Sequence, residues 1–225
     1  KNNEGRASSS PISNLYAWAT GLETDICGFN MLHHACARGY YELVCFLVEN
    51  SFCDVNATDN YGRTALFWSM WSQSTLITAY LMSRAQVDMT ICDDINDNFL
   101  HIAASLSCQG DETRNVQHVK SILFWMLKFD DAQRTQARFL SRTLKQKNDD
   151  GFTAIELATR CSNVTLAGLL KAVEQLADEL VQNHCLVSLN TLKFRSGANN
   201  GKTIHQVLDR EHNDLQLSLD LTHSF

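Results

Sequence analysis

The spacing of one short turn decides what this chain can fold into. Gly28, Gly62, Gly151 and Gly201 each stand in a run carrying Asp or Asn, and Asn96 takes the same place between the second and third of them. The step from Gly28 to Gly62, and from Gly62 to Asn96, is 34 residues. Residues 53–66 laid over residues 87–100 match in character at nearly every column. Self-similarity at such a period marks a solenoid, because one unit of this size cannot bury its own apolar face and a stack of them can.

Every copy has the same physical grammar. The turn comes first, built from residues that tolerate unusual backbone angles. Thr or Asn follows at a helix start, where a side-chain oxygen can cap free backbone N–H groups. A short helix of small and apolar residues comes next, then a longer amphipathic one such as Leu43-Val44-Cys45-Phe46-Leu47-Val48. Leu32, Leu66, Leu100 and Ile155 share one apolar column and are predicted to be buried.

Asn30-Met-Leu-His-His-Ala35 and Asn98-Phe-Leu-His-Ile-Ala103 resemble the T-P-L-H-x-A signature of the ankyrin repeat. Thr64-Ala-Leu-Phe-Trp-Ser69 and Thr153-Ala-Ile-Glu-Leu-Ala158 keep the frame and lose the histidine. The resemblance covers residues 14–219 and weakens toward the end. It implies an all-α solenoid of four to five repeats, near 28–58, 59–92, 93–147, 148–200 and 201–219, with residues 1–13 as a linker or disordered segment and 14–225 as one domain. Residues 14–19 fit the outer helix of a partial leading repeat. The family role of the motif histidine, here His33 and His101, is to bond neighbouring turns, and His34 falls where the family usually has an interior apolar residue.

Two intervals break the period: Asn96 to Gly151 spans 55 residues and Gly151 to Gly201 spans 50. The first excess divides between a polar loop at 107–115 and the segment 128–147; the second follows the fourth repeat, where 165–182 reads as one long helix. These insertions are expected to decorate a continuous stack without dividing it. Segment 128–147 holds six basic and two acidic residues in a chain of net charge −6, and Arg134, Arg138 and Arg142 recur at helical spacing. Phe139, Leu140 and Leu144 give it an apolar side, so it reads as a solvated helix laid against the solenoid, or as a contact for an acidic partner or, more weakly, a nuclear-import or nucleic-acid patch.

Composition excludes several classes. The overall charge is not that of a nucleic-acid binder, and no apolar run approaches a membrane span. The eight cysteines include no CxxC pair, so reduced thiols in a cytoplasmic or nuclear protein are expected. The opening Lys1-Asn2-Asn3-Glu4 reads as an internal cut in a longer chain. Residues 196–203 resemble a phosphate-binding loop but carry three residues between the glycines instead of four, and no strand precedes them; a turn opening the last repeat accounts for them. His33, His34 and Cys36 lie close together on a helix without a fourth metal ligand. Neither a cofactor, a metal nor an enzymatic activity is expected.

The resemblance implies binding of a protein through turn tips and the concave face of the short helices. Its variable positions fall on Ile26, Cys27, Phe29, Ala37 and Arg38; on Asn60, Tyr61, Arg63, Trp71 and Ser72; on Asp94, Ile95, Asp97, Ser105 and Leu106; and on Asp149, Asp150, Phe152, Arg160 and Cys161. The large aromatics and arginines among them are the expected anchors. Long inserts between repeats are similar to those of ankyrin regulators of transcription, the inhibitors of Rel/NF-κB factors and the Swi/Mbp group. A transcription factor is therefore one expected partner. An adaptor module of a larger signalling or ubiquitin-ligase protein, or the targeting domain of an enzyme, is the alternative.

Overall fold

The computed structural model describes residues 24–84, 87–106, 112–128 and 133–182. Helices α1 (Met31–Arg38), α2 (Tyr41–Glu49), α3 (Ala65–Trp71), α4 (Thr75–Arg84), α5 (Phe99–Leu106), α6 (Glu112–Lys128), α7 (Gln133–Lys145), α8 (Ala154–Arg160) and α9 (Val164–Gln182) follow one another, with no strand among the described residues. The architecture is an all-α solenoid of turn–helix–helix units.

Four turns repeat one hydrogen-bonded design. At the head of each, Asp25, Asp59, Asp93 or Asn148 turns its side-chain oxygen onto backbone N–H groups further along: onto Cys27 and Phe29 at 2.8 and 2.9 Å, onto Tyr61 and Arg63 at 2.8 and 3.0 Å, onto Ile95 and Asp97 at 3.1 and 2.8 Å, and onto Phe152 at 3.0 Å. Each turn then needs one left-handed residue, supplied by Gly28, Gly62, Asn96 and Gly151 with φ between 59° and 81°. At Gly28 a methyl group would also stand 2.6 Å from the Asn60 backbone nitrogen, so the next turn closes off the space.

Successive turns are tied through the main chain. The N–H groups of Asn60, Asp94 and Asp149 donate to the carbonyls of Cys27, Tyr61 and Ile95, each at 3.0 Å. The third of these bonds crosses the long insertion and is identical in kind to the first two. The stack is continuous there, as the resumed frame at Gly151 predicts.

Capping oxygens start the short helices where the sequence places them. Asn30 and Thr153 form reciprocal capping boxes with His33 and Glu156, Thr64 accepts from Phe67 N–H, and Asn98 accepts from Leu100 and His101 N–H. The motif histidines bridge units as expected. His33 Nε2 donates to the Ala57 carbonyl and His101 Nε2 to the Phe152 carbonyl, both at 3.0 Å, while each Nδ1 accepts from a capping-residue N–H. Burial holds both imidazoles below the usual histidine range, so both are neutral. With both ring nitrogens of His33 committed, none is left to ligate a metal.

The short helices α1, α3, α5 and α8 pack in series as the inner layer. Leu32, Leu66 and Leu100 are buried there, whereas Ile155 is only partly buried against the core. Outside them, α2, α4 and α6 pack in series, and α7 then stands between α6 and α9. One expectation needs correcting here. Residues 112–115 form no loop: they are the first turn of α6, where buried Asn115 donates to the Ala103 carbonyl at 2.7 Å. Within 128–147, α7 is the helix laid against the stack that the sequence leads one to expect, and with Ala137, Leu140 and Leu144 wholly buried it fills a place in the outer layer. Cys27, Cys36, Cys45, Cys53 and Cys92 form no disulfide, while Cys161 is disulfide-bonded, against the expectation of reduced thiols. Residues 1–23 and 183–225, including the expected partial leading repeat, the fifth repeat and the glycine-rich 196–203, lie outside the described residues.

Candidate functional site

The first two units bring their aromatic residues together at the junction of turn and inner helix. Phe29, from the first turn, packs on Trp68 of α3 with ring centroids 4.6 Å apart. Arg63, from the second turn, lays its guanidinium over Trp68 at 4.5 Å and over Tyr61 at 4.5 Å. Its Nε donates to Asp59 Oδ2 at 2.9 Å, and the Trp68 indole N–H donates to the same oxygen at 3.2 Å. The result is a stack, Phe29–Trp68–Arg63–Tyr61, pinned from behind by a buried carboxylate. Trp71 lies one helical turn on, 6.2 Å from Trp68 and 45% exposed. A cation held on an aromatic face contributes about 0.5–1 kcal/mol at exposed sites, and here it also removes rotamer freedom before any partner arrives.

A smaller version recurs in the fourth unit, where Arg160 of α8 covers the Phe152 ring at 4.3 Å. Arginine and aromatic have changed places: the turn supplies the arginine in the second unit and the aromatic in the fourth. Phe29 and Phe152 are accordingly half-buried by their own neighbours, while Tyr61, Trp71 and Ile95 keep the exposure expected of them, as do Arg38, Arg138 and Arg142. Arg134 belongs to α7, but its side chain is outside the described set.

Two sequence-derived candidates are not on the surface. Asp97 is buried because it accepts from the Asn148 side chain at 2.9 Å, tying the third turn to the fourth. Leu106 is buried as a member of the large core cluster that α5 shares with the later helices. Ser72 is likewise used within the fold, donating to the Cys36 carbonyl at 2.8 Å.

Two residues were missed. Trp68 occupies the x position of the T-P-L-H-x-A frame, and His34 occupies it in the first unit. His34 is not interior: it is partly exposed, 3.1 Å from Asp25 Oδ2 and edge-on to Phe29 at 5.1 Å. A large or polar residue at x in consecutive copies, above an aromatic or arginine at the turn, is the pattern that would have found them.

Residues 11–93 match the family model for ankyrin repeats, in three copies. That stretch includes both units of the aromatic stack and the connection to the third, and the chain is similar to ankyrin repeats there. Ankyrin repeats are general protein–protein interaction modules and typically have no catalytic role. Among the described residues no group of three or more His, Cys, Asp or Glu side chains is arranged to hold a metal ion, and no helix is long and apolar enough to cross a membrane.

Proposed function

We propose that this chain binds a protein partner on its turn tips and inner-helix face, with the first two units as the principal contact. The observation that carries this reading is the immobilised stack around Trp68 with Tyr61 and Trp71 exposed beside it. Rigid, half-exposed aromatics next to arginine lose little conformational entropy on binding and are the residues that most often dominate interfaces. Phe29, Arg38, Tyr61, Arg63 and Trp71 form the proposed anchor group, with Ile95, Phe152 and Arg160 extending it along the stack.

The partner class we place first is a transcription factor, and the support is the long insertion between repeats, which is similar to that of ankyrin regulators of transcription. Site-specific photo-crosslinking tests the location independently of partner identity. A crosslinking side chain in place of Tyr61 or Trp71 should trap one and the same partner. The same group in place of Phe46, exposed on the outer helix α2, should trap it far less. Crosslinks from Phe46 alone would move the interface to the outer layer.

A further inference from the structure

The row of turn tips changes character along the stack. Ile26 on the first tip is 96% exposed, and Tyr61 on the second and Ile95 on the third are 55% and 52% exposed. Carboxylates enter at the third tip, where exposed Asp94 stands beside Ile95, and make up the exposed charge of the fourth, at Asp149 and Asp150. The four turns, residues 25–29, 59–63, 93–97 and 148–152, contain a single cation, Arg63, and its guanidinium already faces Asp59. The main-chain bonds between tips hold these side chains at fixed spacing, so the row is one surface with an apolar half and an acidic half.

We infer that this row is occupied by a partner segment in which aliphatic or aromatic side chains stand beside a cluster of Lys or Arg. This deepens the protein-binding reading above and rests on it. The apolar tips gain by being removed from water. At the acidic end, where Asp149 accepts from the Asn96 side chain at 2.6 Å and the turn itself holds no cation, an acidic segment would meet carboxylates of its own sign, whereas a basic one pairs with them and is drawn in over a Debye length of about 8–10 Å. Complementarity therefore selects the sign of the partner, and the order of apolar and acidic tips selects its register.

Selection of short random-sequence peptides on the folded chain tests this without knowledge of the natural partner. Enriched peptides should be net positive and carry apolar residues next to the basic ones, and should bind less tightly as salt rises. Asp94→Lys with Asp150→Lys should weaken them roughly tenfold, the order expected of a few exposed charge pairs, with an unchanged thermal melt as the control for folding. Tyr61→Ala with Ile95→Ala should weaken them at every salt concentration. Enrichment of acidic peptides, or of none, would overturn the inference, and so would equal binding of basic peptides by the charge-reversed variant. If charge reversal has no effect while Trp71→Ala still weakens binding, the protein-binding reading stands and the inferred partner chemistry falls. If neither matters, both fall.

Discussion

Between the third and fourth units the inner layer passes straight from α5 to α8, whereas the outer layer passes from α6 through α7 to α9. The inner layer is held by short-range geometry that tolerates no extra residue: a turn-to-turn main-chain bond, a histidine bridge and a capped helix of seven or eight residues. The outer layer is held by side-chain packing, and it accommodates a helix as long as that helix offers an apolar stripe. Ala137, Leu140 and Leu144 supply the stripe, and Ser141 and Lys145 bond Asp178 of α9 at 2.6 and 2.7 Å. An insertion that follows an outer helix can thus enlarge the outer layer and leave the inner face in register.

The sharpest way to break this comparison is to cut the core on each side of it. Leu100 in α5 and Leu140 in α7 are both wholly buried. Leu100→Ala and Leu140→Ala should each cost roughly 2–5 kcal/mol in denaturant melts. A cost under about 1 kcal/mol for Leu140→Ala, the range of surface positions, would return α7 to the status of an appendage.

Acid should act next most strongly, through buried imidazoles. His118 of α6 is buried with Nδ1 3.0 Å from Thr75 Oγ1, and burial lowers its pKa from 6.5 to about 4. The unfolded chain binds the proton between those values and the folded chain does not. Stability is therefore full above about pH 6.5 and is lost as pH falls toward 4, by about 3 kcal/mol from this group. His33 and His101 are shifted the same way and add to the loss. Urea midpoints measured from neutral pH downward should fall, and His118→Gln should flatten the dependence.

Smaller stability effects belong to the site. Trp71→Ala should change the melt by about 1 kcal/mol or less, since the ring is 45% exposed, while weakening partner binding mainly through the off-rate. A melt that places Trp71→Ala beside Leu100→Ala would move this residue from the interface into the core. The smallest effect is expected on α7. Arg138 and Arg142 are exposed and carry no ion pair among the described residues, unlike Lys145, which pairs with Asp178. Reversing both arginines to glutamate should leave the melt nearly unchanged. It should lower the on-rate at low salt only if an acidic partner reaches the outer layer.

The turns and the caps were legible because each depends on residues within one copy, the period because the copies align, and the bridging histidines because the ankyrin resemblance assigns that role to the motif position. The role of Asp97 was not, because its partner Asn148 lies beyond the insertion and no local pattern joins them. Leu106 misled for a related reason: it ends α5 at a position that is variable in a regular repeat, but here it is part of the large buried core. In 128–147 the apolar side was legible at Phe139, Leu140 and Leu144, and Leu140 and Leu144 are buried; that α7 takes a full place in the outer layer was not, because it depends on contacts with α6 and α9. Trp68 was passed over because it sits inside the motif, where a fixed frame suggests a structural residue; the cation and ring from the turn are what bring it into the site.

Hydrogen exchange of the chain with and without its bound partner tests the central claim most directly, because it reads every layer at once. Slowed exchange should concentrate in the turns at 25–29 and 59–63 and in α3, extending along the tips at 93–97 and 148–152, with α2, α6 and α9 unchanged. Protection confined to the outer helices, with the Trp68 stack exchanging as in the free chain, would contradict the account.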